Sequence, residues 1–207
     1  MHDFEAICEK IYAHYNEITP FTREEFDQIV SLATVVTLKK GEFVYKQGTI
    51  PKYGGFIIQG GLRYFHTDDN RKEVTTGFQF EDSCFGDLRS IFFNEVAMTS
   101  VQALEDSVII RLDKKHYLRL FDECKPFAKA MVLALEGRYN ELMGETIERL
   151  DHEAEERYLK MLNLYPHILQ RASQRHIASY LGIKPQSLSR IRKNIMEQPA
   201  PRLRISA

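Results

Sequence analysis

The period of the hydrophobic positions changes twice along the chain. Phe4, Ile7, Ile11 and Tyr15 recur at helical spacing, and TPFTREEFDQIVSLA places a threonine cap ahead of glutamates, so residues 4–33 read as helical. From VVTLKKGEFVYKQG through GGFIIQGGLRYFHTDDNRKEVTTGFQFEDSCFGD to SVQALEDSVIIRLD, short runs of Val, Ile, Phe, Tyr and Thr alternate with Gly, Asp and Asn clusters. That spacing predicts an antiparallel sandwich or barrel over roughly residues 35–113.

Beyond Pro126 the helical period returns. Phe127, Met131, Leu135, Leu142 and Leu150 form a stripe, with Ala134, Tyr139 and Thr146 in adjacent turns. Such a stripe packs either on the chain's own barrel or against the same helix of a second chain. Gly137 and Gly144 weaken the helix but permit close approach, which favours a homodimer with Phe127, Met131, Leu135 and Leu142 at its interface. A shorter helix is expected from Glu153 to Leu164, ahead of Pro166.

The stretch SQRHIASYLGIKPQSLSRIRK, residues 173–193, carries an interior set of Ile177, Ala178, Leu181, Ile183, Leu188 and Ile191. Ser173 is placed to cap a first helix, Gly182 to end it in a left-handed turn, and Pro185 to open a second helix where its missing N–H costs nothing. Helix, tight turn, helix follows. The second helix presents Gln186, Ser187, Ser189, Arg190 and Lys193 outward. An amide and a guanidinium four residues apart suit adenine and guanine edges, so Gln186 and Arg190 are the expected base readers. Ser187, Ser189 and Lys193 are expected to position the phosphate backbone, and Ser173 and Arg175 of the first helix are counted among the DNA-binding residues.

Charge strengthens that reading. The net charge is only -1, yet residues 171–207 hold eight Lys and Arg against the single acid Glu197. A basic end on an acidic body suits a chain that meets a polyanion at one end. The remaining composition, 43% apolar and 28% charged over 207 residues, is that of a folded chain with one large or two ordinary domains. No apolar run approaches the ~20 residues of a bilayer span, and the N-terminus lacks a signal-peptide layout, so a cytoplasmic location with no membrane partner is expected. Cys8, Cys84 and Cys124 are too scattered for a disulfide framework or a CxxC motif.

The order of barrel, long helix and C-terminal helix-turn-helix resembles the family of the cyclic-AMP receptor protein and the fumarate and nitrate reduction regulator, Crp/Fnr. The resemblance covers almost the whole chain and rests on KKGEFVYKQG, FIIQGGLRYF, CFGD followed by VQALEDSVIIRLD, and IASYLGIKPQSLSRIRK. It implies an α+β chain: an N-terminal antiparallel, jelly-roll-like β-roll of the cyclic-nucleotide-binding type with flanking helices over residues 1–121, a dimerisation helix over 122–150, and a DNA-binding domain over 151–207. It implies a dimeric transcription regulator on double-stranded DNA with a two-fold operator, RNA polymerase as a further partner, and no enzymatic activity.

The same resemblance places an effector pocket around Phe85, Gly86, Asp87, Leu88, Arg89, Thr99 and Ser100. Cyclic-nucleotide binders of the family have a glutamate for the ribose and an arginine-serine pair for the phosphate. Here Asp87 stands at the acid's position, and Ala97 and Met98 stand where the pair is expected, so ordinary cyclic-AMP binding is not expected. Arg63 and Arg71 are alternative cations. The effector is left open, and no cofactor is required. A cyclic-nucleotide or other small-molecule module acting through protein contacts is one alternative. A cupin-like metalloenzyme is another, but His66, Asp68, Asp69 and His116 give no H-x-H pair with metal-ligand spacing, so no metal site is assigned. G-x-S-x-G, GK[ST] and G-x-G-x-x-G are all absent. YPHILQRA is too short for the β-hairpin that many relatives place before the first DNA-binding helix, so a full winged architecture is not expected.

Overall fold

The structure is a computed structural model that describes residues 4–197; Arg202 and Arg204 of the basic end, and with them any terminal wing, lie outside the described residues. The chain divides into two compact units, Met1–Ile147 and Glu148–Ala207.

The first unit opens with α1 (Phe4–Ile18) and α2 (Arg23–Leu32). Thr22 caps α2 reciprocally: its hydroxyl accepts from the Glu25 amide at 3.2 Å, and the Glu25 carboxylate accepts from the Thr22 amide at 2.8 Å. The strands follow as β1 (Ala33–Leu38), β2 (Phe43–Tyr45), β3 (Tyr53–Gln59), β4 (Leu62–Thr67), β5 (Glu73–Gln79), β6 (Cys84–Phe85), β7 (Ser100–Ala103) and β8 (Ser107–Asp113). Among the described residues they form two antiparallel sheets, ordered β1-β8-β3-β6 and β2-β7-β4-β5. This is a jelly-roll-like β-roll, and it occupies the stretch whose short β-rich runs predicted strands.

Period-two alternation sends Val44, Ile57, Leu62, Val101 and Ile109 into the space between the sheets, joined by Tyr45 and Phe85. A second apolar cluster lies outside the roll. It joins Phe21 and Phe26 of the N-terminal segment to Leu112, to Ile91 of α3 (Leu88–Phe93), to Tyr117 and Leu120 of α4 (Lys114–Glu123), and to Phe127 and Ala130 of α5 (Lys125–Asp151). The long helix begins at Lys125, because Cys124 leaves helical geometry at φ -113°, ψ 95° and closes α4. Pro126 then sits in the first turn, where its missing N–H breaks no bond.

In the second unit, α6 (Ala154–Leu164), α7 (Ile168–Arg171), α8 (Gln174–Tyr180) and α9 (Pro185–Glu197) follow the end of α5. Tyr158, Met161, Ile168, Ile177, Ala178, Leu181 and Leu188 are buried; of the interior expected of the last two helices, Ile183 and Ile191 are only half-buried. YPHILQRA forms the single turn of α7 and no hairpin.

Candidate functional site

In the helix-turn-helix, the Ser173 hydroxyl accepts from the His176 amide at 3.2 Å and starts α8. The helix ends through Gly182 at φ +70°, with Gly182 donating to the Ser179 carbonyl and Ile183 to the Ala178 carbonyl at 2.9 Å. A Cβ added at Gly182 would meet no atom, so the glycine is there for its left-handed backbone rather than for space. Pro185 then opens α9.

Leu188 is fully buried under α9, which leaves Gln186, Ser189, Arg190 and Lys193 exposed on the opposite side. Arg175 is exposed on the first turn of α8. Ser187 is half-buried, and the Ser189 hydroxyl donates to the Pro185 carbonyl at 3.1 Å. Lys193 lies 3.7 Å from Glu197, an exposed i,i+4 pair of little strength. Arg192 turns inward: burial raises the Tyr158 hydroxyl above its ordinary value, and the neighbouring Arg192, hydrogen-bonded to it, holds that rise back.

In the β-roll, Phe85 is buried, and Gly86 adopts φ +154° with its position for a Cβ only 3.3 Å from the Gly54 Cα. Asp87, expected to face a ribose, is the N-cap of α3; its carboxylate accepts from the Ser90 amide at 2.9 Å. Leu88 opens that helix half-buried. Arg89 is on the surface, bound to Glu95 and to the Met98 thioether. Ser100 is buried with its hydroxyl accepting from the Gln47 amide at 3.0 Å, and Thr99 is half-buried. Ala97 is fully buried between backbone bonds to Gly48 and Thr49, while Met98 is 65% exposed, so neither position offers a cation.

The two alternative arginines are also accounted for. Arg63 is buried within β4, paired with Glu73 at 2.8 Å, bonded to the Thr75 hydroxyl at 2.9 Å and stacked over the Phe65 ring. As the neighbour of inward-facing Leu62, it points to the other face of its sheet. Arg71 is exposed in the β4–β5 turn at φ +61°.

Other residues lie near Gly86 and Asp87 instead. Tyr45, Tyr53 and Tyr64 pack against the cluster between the sheets. Burial lifts all three hydroxyls above their ordinary range, so they are neutral hydrogen-bonding groups. Tyr53 donates to the Val44 carbonyl at 2.6 Å, and the Tyr64 hydroxyl reaches Gln79 at 2.5 Å. Arg138 of α5 comes close enough to Tyr64 to hold back part of its rise. Its guanidinium would lie 3.2 Å from a Cβ at Gly77 and pairs with Glu141 at 2.9 Å. The tyrosines are visible in the sequence as strand residues. Arg138 has no local signal, since it reaches the roll from a helix some sixty residues further along than β5.

The expected dimer residues divide. Phe127 is buried in the chain's own core, and the half-buried Met131 takes a hydrogen bond from the Tyr117 hydroxyl, so both serve packing within the chain. Leu135 is 54% and Leu142 44% exposed. With Val132, Tyr139, Met143 and Ile147, also exposed, they continue an apolar strip along α5.

These features define a jelly-roll-like β-roll, followed by a long helix and a unit that holds a helix-turn-helix. Residues 35–124 match the cyclic nucleotide-binding domain family. FixK2 of Bradyrhizobium japonicum superposes with a TM-score of 0.71 at 16% identity, over 79% of this chain and 84% of that one. A Crp/Fnr-family regulator of Eubacterium rectale gives 0.69 at 15% identity, over 90% and 88%. The c-di-GMP-responsive global regulator CLP of Xanthomonas campestris gives 0.67 at 12% identity, over 84% and 92%. An uncharacterized protein of Haemophilus influenzae is 33% identical over 76 residues, which are 37% of this chain and span 58% of that relative's length. Residues 35–124 are thus similar to a cyclic nucleotide-binding domain, and the chain has the fold seen in the solved Crp/Fnr-family structure. Among the described residues, no helix is long and apolar enough to cross a membrane, and no group of three His, Cys, Asp or Glu side chains is placed to hold a metal ion.

Proposed function

We propose that this chain is a sequence-specific, DNA-binding transcription regulator that acts as a homodimer and is not an enzyme. The observation that carries the reading is the face of α9: Gln186, Ser189, Arg190 and Lys193 are exposed together above a fully buried Leu188. A rigid helix offering an amide, a guanidinium and an ammonium on one side has the chemistry to enter a major groove. The exposed strip of Leu135, Tyr139 and Leu142 supports pairing of two long helices, and two recognition helices related by a two-fold axis call for a two-fold operator. The Crp/Fnr fold agrees with this output, with RNA polymerase as the further partner and the cytoplasm as the location.

In the β-roll, an effector is expected to differ from cyclic AMP bound in the usual way, because the phosphate-pairing position is the buried Ala97. The neutral Tyr45 and Tyr53 and the Arg138 guanidinium beside Tyr64 are the groups this chain offers instead.

Selection of duplexes from a random DNA pool, followed by sequencing, tests the reading. The expected product is an enriched two-fold site with half-sites about one helical turn apart. If the full chain enriches no sequence, with or without cell extract, the proposal fails.

A further inference from the structure

A cavity lies outside the β-roll, beneath the two N-terminal helices. Its volume is about 120 Å³. Ile11 of α1, Phe26 of α2, Phe56 of β3, Ile110 of β8 and Phe127 of α5 supply much of its apolar wall, and no charged side chain lines it. Protein interiors are packed to the density of organic crystals, so a space of this size is uncommon. Here it coincides with the small wall residues Ala33, Gly55 and Ala130. Cavities of roughly 150 Å³ lined by Leu, Ile and Phe stay dry and accept benzene or xenon.

One part of the wall is polar. The Tyr15 hydroxyl and the Cys84 thiol are 2.7 Å apart, and either can donate to the other. Burial, the largest cause in each case, pushes both groups above their ordinary values, so both stay neutral. An ionised guest would lose its hydration with no counter-charge to replace it. A guest hydroxyl, by contrast, can join the Tyr15–Cys84 pair as donor or acceptor.

We propose that this cavity is a binding site for a small uncharged apolar molecule, about the size of one aromatic ring, whose permitted polar group is a hydroxyl held by Tyr15 and Cys84. The site is separate from the space between the sheets. Its wall includes Phe85, one of the residues of the expected effector pocket, and Phe127, Ala130 and Met131 from the first turns of the long helix. On the regulator reading above, an occupant is therefore a second input to that helix.

The test uses the full chain without DNA, so its outcome is independent of operator binding. Benzene, phenol and the charged comparator benzoate are titrated by calorimetry, with thermal melts in parallel. Benzene and phenol are expected to bind saturably and raise Tm, and benzoate is not. In Tyr15→Phe, benzene binding persists and the phenol-to-benzene affinity ratio falls roughly 3- to 10-fold, as expected for one lost buried hydrogen bond. In Ala130→Leu, which fills the space, both aromatics lose binding. The proposal is overturned if neither aromatic binds the wild type, if benzoate binds as well as they do, or if folded Ala130→Leu binds them unchanged. An unchanged ratio in Tyr15→Phe also overturns it, and this variant decides the matter should Ala130→Leu not fold.

Discussion

The Arg157 guanidinium donates to the Leu181 carbonyl at 3.0 Å, and so holds α6 to the end of α8 at the point where the helix-turn-helix bends. A second bond from the same group reaches the His152 carbonyl at 2.6 Å. Helix C-termini leave carbonyls unpaired, and a cation there both satisfies one and complements the helix dipole. Arg157→Met keeps much of the apolar stem and removes both bonds. We expect a loss of about 1.5–3 kcal/mol from the second unit, typical of hydrogen bonds made by a charged group. Native-state hydrogen exchange at Leu181, Gly182 and Ile183 measures it. Unchanged protection there would show that the turn holds without Arg157.

Gly182 makes a distinct contribution to the same turn. Its φ of +70° disfavours an L side chain, while the space around it is open. Gly182→Ala is therefore expected to cost about 1–2 kcal/mol from backbone strain alone. Gly182→Asn should cost less, since asparagine tolerates the left-handed region better. Equal urea midpoints for the glycine, alanine and asparagine forms would contradict this account.

The helix-turn-helix was legible because its determinants are local. Ser173, Gly182, Pro185 and the spacing from Ile177 to Leu188 lie within one short stretch, and each acts on the backbone within a turn of itself. The sheet class was legible for the same reason, from period-two runs bounded by turn residues. Side-chain destinations were less so. Asp87 is placed at a ribose by the resemblance alone, and its capping of α3 appears only once that short helix is seen. Arg63 is a candidate cation until the pairing of β4 with β5 sets it beside Glu73 and Thr75. Phe127 and Leu135 look alike in a helical stripe, and only the packing of α4 against the start of α5 separates a core residue from an exposed one.

That separation predicts two different losses. Leu135→Glu and Leu142→Glu alter exposed positions, so the single chain should keep its melting behaviour while sedimentation shows monomers in place of dimers. Phe127→Ala removes a buried ring and should cost about 3–5 kcal/mol of stability. A Leu135→Glu, Leu142→Glu double variant that still sediments as a dimer would place the interface elsewhere.

Alkaline pH should destabilise the first unit. Burial, the leading cause for each, raises Tyr15, Tyr45, Tyr64 and Tyr117, and it raises the Cys84 thiol as well. The unfolded chain releases these protons near the ordinary values, about 8.5 for a thiol and about 10 for a phenol, while the folded chain retains them. The unfolded state then binds fewer protons, so stability is fully present below those values and falls as pH rises past them. Urea midpoints measured from about pH 8 to pH 11 should stay level and then drop. Tyr45→Phe should make the drop shallower; an unchanged slope would remove that tyrosine from the account.

The exposed side of α9 yields the sharpest division of labour. Arg190→Ala should weaken operator binding by about 1–3 kcal/mol, roughly 5- to 150-fold, and relax sequence preference at one position of each half-site. Gln186→Ala should relax preference at a different position, because the two side chains lie one helical turn apart. Lys193→Ala should weaken all duplexes alike and reduce the slope of log affinity against log salt by about 1 for each phosphate that the lysine neutralises. Its exposed pairing with Glu197 at 3.7 Å is too weak to hold it from a phosphate. Ser189→Ala should change little, since that hydroxyl already donates to the Pro185 carbonyl. Binding titrations on the selected operator and a scrambled duplex, each at several salt concentrations, separate these outcomes. If Arg190→Ala weakened both duplexes equally while Lys193→Ala acted only on the operator, the assigned roles of the two cations would have to be exchanged.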